Sequence, residues 1–230
     1  MAERLLSGSE IAEMEKLTVD RICEAIERGD KEEAKKAARR MFSEFLSMHD
    51  LYRDWITATL SFIARRFGDQ ALEEAMKEGT AAWWLPIRKK FPRGVEGLRQ
   101  RVKMFAAGLR GHMQPLHIEE DDDKITIQMR PCGSGGRLIL EDKYAGPNAF
   151  YTINGAQRLT YGRQSFPVYC AHEPIQELVD IEANGAPFVV VEPAHELGKQ
   201  HCSFHIYKDP ANIPDKYYER LGIKRPQPPK

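Results

Sequence analysis

The sequence predicts an α+β protein: a helical bundle over residues 1–112, then a mixed domain with an antiparallel sheet over 113–230. Two observations carry this. The first half repeats its apolar residues at helical spacing between capping and stop signals. From about Gly111 the period changes to two, with Ile125, Ile127 and Met129 alternating with Thr126, Gln128 and Arg130.

Taken in order, Ser7 with Glu10 makes a capping box. Ile11, Met14, Val19, Ile22 and Ile26 then form one stripe, with Cys23 at its edge as a core filler. Gly29 ends this segment, and Asp30 with Glu33 opens a long helix that closes at Gly68. Asp69 starts another through Trp83 and Trp84 to Pro86 or slightly beyond, with both tryptophans expected in the core. A last helix runs from about Val95 to Leu109. The acidic run Glu119–Asp123 reads as a solvated turn between strands. Phe188–Val191 and Phe204–Ile206 are further strands, with a helix from Pro174 to Ala183 between them, stopped by Gly185. The ending from Arg225 to Lys230 is a frayed tail.

Charge is balanced, 34 basic against 34 acidic residues among 230, so no net field draws the chain toward nucleic acid. The cluster Arg88, Lys89, Lys90, Arg93, Arg99 and Arg101 reads as a solvated helical face. No apolar run approaches the ~20 residues that span a bilayer, and the opening residues lack the apolar core of a signal peptide. Four cysteines do not resemble a secreted disulfide framework. A reduced, cytoplasmic protein with a small-molecule substrate, and with no nucleic-acid or membrane partner, is expected. Composition does not set the oligomeric state.

The segment Pro131-Cys132-Gly133-Ser134-Gly135-Gly136-Arg137 concentrates chemistry. Cys132 has three readings: a nucleophile supported by loop amides and Arg137, a metal ligand, or a small hydrophobe before a glycine-rich turn. The spacing to Arg137 does not match a phosphatase loop, and the run lacks the ending of a nucleotide P-loop. Cys170 and His172 fall on one side of an extended segment, ~7 Å apart along the chain. Cys202 shares a strand face with Phe204 and Ile206, whereas His201 and His205 face the other way. Cys132, Cys170, His172 and Cys202 are therefore the expected metal set, a Cys₃His site for zinc, or alternatively iron. Glu173 either caps the helix or acts as a general base. Arg137 would hold an anionic substrate group.

A polar strip of Asp50, Asp54, Thr57, Ser61 and Arg65 runs along the long helix, otherwise apolar through Leu51, Trp55, Ile56, Phe62 and Ile63. It is either a solvated face or the lining of a substrate pocket that His112 and His117 also reach.

The C-terminal segment resembles the L-2-amino-thiazoline-4-carboxylic acid hydrolase family and vinyl-reductase-type small-molecule-binding domains. Cys170, the helix Pro174–Ala183, the Gly185-Ala186-Pro187 turn and Cys202-Ser203-Phe204 carry the resemblance. The Cys132 segment and Lys208-Asp209-Pro210 also look like uncharacterised bacterial proteins with a helical N-terminal half. The resemblance implies either hydrolysis of a C–N bond, as in a small heterocycle, or ligand sensing without catalysis. The leading expectation is a hydrolase using a Cys132 thiolate or a metal-bound water, with Cys132, Arg137 and Glu173 catalytic and Asp50, Asp54 and His112 binding substrate. The alternatives are a binding module with a structural zinc and an iron-dependent redox enzyme.

Overall fold

The computed structural model describes residues 5–91 and 94–226. Arg93, the first four residues and the tail from 227 lie outside them. The fold is α+β, and every strand pairing is antiparallel. The chain divides into two compact units, Met1–Tyr52 and Arg53–Lys230.

In the first unit, α1 (Gly8–Glu15) opens with the expected capping box. The Ser7 hydroxyl accepts from the Glu10 amide, and the Glu10 carboxylate accepts from the Ser7 amide at 2.7 Å. Helix α2 (Thr18–Glu27) is followed by Gly29 in the left-handed region, at φ +75°. Asp30 caps the start of α3 (Lys31–Arg88), accepting from the Glu33 amide at 3.0 Å. Among the described residues of this unit only Thr18, Ala25 and Ala37 are buried. Ile11, Met14, Val19 and Ile26 are exposed. Cys23 is exposed as well, so the expected core filler is corrected. The buried alanines leave the longer apolar side chains pointing outward.

Within α3 the helix breaks at Gly68, where φ is 85° and ψ 174°, and resumes at Asp69. The break falls where the sequence puts a stop. Helix α4 (Gly94–Arg110) follows, then the hairpin β1 (Leu116–Glu120) and β2 (Lys124–Met129), turned by the acidic run. A short helix α5 (Gly135–Leu140) follows, then a two-stranded hairpin, β3 (Thr152–Asn154) and β4 (Ser165–Pro167). Helix α6 (His172–Asn184), β5 (Val190–Glu192), β6 (Ser203–Tyr207) and α7 (Lys216–Glu219) complete the unit. The main sheet has the order β1-β2-β6-β5, with Phe204 of β6 opposite both Ile127 and Val191.

One core joins helices and sheet. Leu72, Trp84, Ala106 and Leu109 pack in the same cluster as Ile127, Leu178, Val190 and Ile206. The helices after residue 52 thus belong with the sheet, and the division falls well before the 112/113 boundary that the change of period suggests. Period reports secondary structure, whereas shared burial decides the unit. Trp84 is in this core at 2% exposure, but Trp83 is 52% exposed.

The polar strip of α3 is partly inverted relative to expectation: Thr57 and Ser61 are buried, Asp50 and Asp54 half-buried and Arg65 exposed, while the apolar Trp55, Ile56 and Phe62 are exposed. The hydroxyls donate back to carbonyls one turn earlier, Thr57 to Arg53 at 2.6 Å and Ser61 to Thr57 at 2.7 Å. Ser61 also accepts from the Tyr151 amide at 2.9 Å. Such back-bonding satisfies buried hydroxyls without water. In the basic cluster Lys89, Lys90 and Arg99 are exposed as expected, but the Arg88 and Arg101 guanidinium groups lie over the Phe188 ring, at 5.0 and 5.6 Å. No described helix is long and apolar enough to cross a membrane.

Candidate functional site

A cavity of about 610 Å³ lies within the second unit, where α3, α4, α6 and the sheet meet the loop after β2. Trp83, Trp84 and Ile87 of α3, Met104, Phe105 and Leu109 of α4, and Met129, Val191 and Phe204 of the sheet supply apolar walls. The remaining wall is chemical: Cys132, Cys170, Cys202, His172, Glu173, Gln176 and Gln200.

The glycine-rich segment folds its backbone between two of the thiols. A Cβ at Gly135 would lie 2.5 Å from the Cys170 sulfur, and one at Gly136 would lie 2.7 Å from the Cys132 Cβ. Only glycine lets the chain pass so close to both. A Cβ at Gly133 would sit 2.5 Å from the His112 carbonyl oxygen, so the loop is also seated on the end of α4. The Cys132 sulfur is half-buried and accepts from the Gly136 amide at 3.2 Å.

The other thiols are held neutral. Burial pushes Cys170 well above the ordinary thiol range, and the nearby Glu173 adds to this. Burial also raises Cys202, whose sulfur accepts from the Ala194 amide at 3.5 Å. His172 donates from Nδ1 to the Tyr169 carbonyl at 2.6 Å, and burial depresses its pKa, which leaves a neutral ring. Burial pushes the Tyr169 hydroxyl up to about 12.

Helix α6 sets two carboxyl groups one turn apart in opposite environments. Glu177 is 1% exposed and accepts from the Tyr161 hydroxyl at 2.6 Å, the Val191 amide at 2.7 Å and Arg220 at 2.8 and 2.9 Å. Glu173 is 9% exposed, and its Oε2 has no hydrogen-bond partner among the described residues. Burial, reinforced by the neighbouring Glu177 charge, pushes Glu173 up to about 8. It is therefore largely protonated at neutral pH. One turn beyond Glu177, Asp180 takes the Arg88 guanidinium at 3.0 Å and the Phe188 amide at 3.0 Å. Burial raises Glu177 as well, with Arg220, Tyr161 and the Val191 amide opposing the shift, so the two acids differ in hydrogen-bond supply. A buried acid with a strongly raised pKa on a cavity wall is a recurring mark of a functional site.

The structure brings Cys132, Cys170, His172, Glu173, Cys202 and His112 to one cavity. Yet among the described residues no three His, Cys, Asp or Glu side chains are grouped so as to hold one metal ion. Arg137 does not line the cavity; its Nε pairs with Glu141 at 3.1 Å. Asp54 is also elsewhere, between Arg53 and Lys143 at 2.8 Å from each. Asp50 belongs to the first unit, where it meets the His49 ring at 3.0 Å. His117 pairs with the exposed Glu119. Sequence reasoning missed Glu177, Tyr169, Gln176 and Arg220. The acids had a legible signal: 173, 177 and 180 are spaced as one stripe among Ile175, Leu178, Val179 and Ile181, which would bury them.

The chain matches no protein-family model, no curated protein and no solved structure.

Proposed function

We propose that the protein is a small-molecule hydrolase that cleaves a C–N bond in this cavity, with Cys132 as nucleophile and Glu173 as proton carrier. The observation that supports it best is the unpartnered, buried Glu173 carboxyl on the cavity wall. A buried acid kept only for stability would be hydrogen-bonded, as Glu177 is. Cys132 is half-buried with its sulfur accepting from an amide of its own glycine loop, while burial raises Cys170 and Cys202 and disfavours their thiolates.

In the first step the sulfur bonds to the substrate carbon and the C–N bond breaks. Glu173 gives its proton to the departing nitrogen, and the thiol proton replaces it. Water then adds to the same carbon, the S–C bond breaks, and one water proton returns to sulfur through Glu173. The net reaction consumes one water and leaves the enzyme unchanged.

The apolar walls also suit a second reading, a module that holds a small ligand without transforming it. A zinc or iron ion could supply the attacking water only if Cys132, Cys170, His172 and Cys202 closed on one another beyond the observed arrangement. The test is amine or ammonia release from a panel of amides and amidines, with elemental analysis of the same protein. Cys132→Ser should abolish release while circular dichroism stays unchanged. Glu173→Gln should remove a pH limb near 8. Full activity in Cys132→Ser would end the nucleophile assignment; binding without release across the panel would favour the module.

A further inference from the structure

The charge pattern of the cavity says what it admits. Among the described residues that line it, none is Lys or Arg, and the single acid is Glu173. The nearby cations are committed to other groups. Arg220 holds Glu177, Arg88 holds Asp180, and Arg163 donates to the Pro193 and Ala194 carbonyls at 3.0 and 2.7 Å. No lysine or arginine of the lining offers an anionic ligand a counter-charge, and burial holds the lining His172 neutral, so a carboxylate without such a partner would be strongly disfavoured here. The walls instead present flat and polarisable groups. Trp84, Phe105 and Phe204 supply rings, and Met104 and Met129 add soft sulfur contacts that suit an aromatic partner. Glu173 and Gln176, one turn apart on α6, supply adjacent polar groups, and His112, Ser134, Tyr169, His172 and Gln200 complete the polar part of the lining.

We infer that the cavity takes an uncharged aromatic molecule with one hydrogen-bonding end, and rejects its carboxylate counterpart. This deepens the hydrolase reading and rests on it only for the identity of the polar end, an amide. On that reading the selectivity has a use: hydrolysis turns an accepted neutral amide into a rejected acid, which favours product release.

The experiment compares naphthalene-2-carboxamide with naphthalene-2-carboxylate, near-isosteres that differ in charge. Affinity is measured by titration calorimetry on the full chain, wild type and Cys132→Ser. Protection of Cys132 from iodoacetamide, read by mass spectrometry in the wild type, places the ligand. The amide should bind at least roughly 30-fold more tightly than the carboxylate and should slow Cys132 alkylation. Equal affinity, or a tighter carboxylate, would overturn the inference whatever the turnover. Failure of both compounds to bind would overturn the aromatic assignment. If the amide binds and protects Cys132 but releases no ammonia, the ligand class stands and the hydrolase reading falls.

Discussion

Asp54 and Glu173 are carboxyl groups of the same unit, both singled out by the sequence, and their surroundings differ in one respect. Asp54 is supplied with donors, taking Lys143 at 2.8 Å and Arg53 at 2.8 and 2.9 Å. Burial acts against its charge, but the bonds from Lys143 and Arg53 outweigh it and hold Asp54 below the ordinary range. Glu173 faces an apolar cavity with an oxygen left open, and burial drives it the other way. The Asp54 cluster extends through Arg53 to Glu141 at 2.7 Å and from there to Arg137, closing a circuit with its own charges. The difference teaches that partner supply, more than residue type, separates a polar group that fastens helices from one poised for chemistry.

Removing supply from a satisfied acid should have the largest effect. Arg220→Ala strands Glu177, which is fully enclosed, and should cost roughly 3–5 kcal/mol in denaturant unfolding. A loss below about 1 kcal/mol would mean that Glu177 already relies on its other donors.

Glu173→Gln should act in the opposite direction. Its folded pKa of about 8 lies above the ordinary 4.5, so its contribution is complete below 4.5 and lost as pH rises through 8. Glutamine escapes that loss. The variant should match wild type near pH 5 and exceed it above about pH 9 by on the order of 3 kcal/mol, several degrees in Tm. A pH-independent difference would put Glu173 in the same class as Asp54.

The smallest effect belongs to the exposed side of the paired cluster. Asp54→Asn should cost about 1 kcal/mol at neutral pH, because the carboxyl is partly solvated. With its pKa lowered in the fold, that contribution is present above the unfolded value of 3.8 and fades as pH falls below it. Thermal scans across this range would check the direction.

The sequence was read most accurately where local chemistry decides. The Ser7–Glu10 box, the break at Gly68, the alternation of β2 and the stop at Gly185 all depend on residues a few positions apart. Strand phase placed Cys202 beside Phe204 on the cavity wall, but Cys170 lies in a 3-10 turn and His172 opens α6 rather than sharing the expected extended segment. The partly inverted strip of α3 was not legible. A run of Asp, Thr and Ser beside Trp and Phe gives no sign that hydroxyls will bond their own backbone and turn inward. Arg137 misled for a similar reason: an arginine beside a glycine loop reads as an anion clamp, but Glu141 one helical turn on claims it. Cys23 sat on an apolar stripe that the small first unit leaves exposed.

The most direct test is a carbon-13 NMR titration of the Glu173 carboxyl, assigned by its disappearance in Glu173→Gln. A midpoint of about 8 is the predicted result and establishes a protonated acid on the cavity at neutral pH. A midpoint near the ordinary 4.5 would contradict it, leaving Glu173 a charged structural residue and the cavity without its proton carrier.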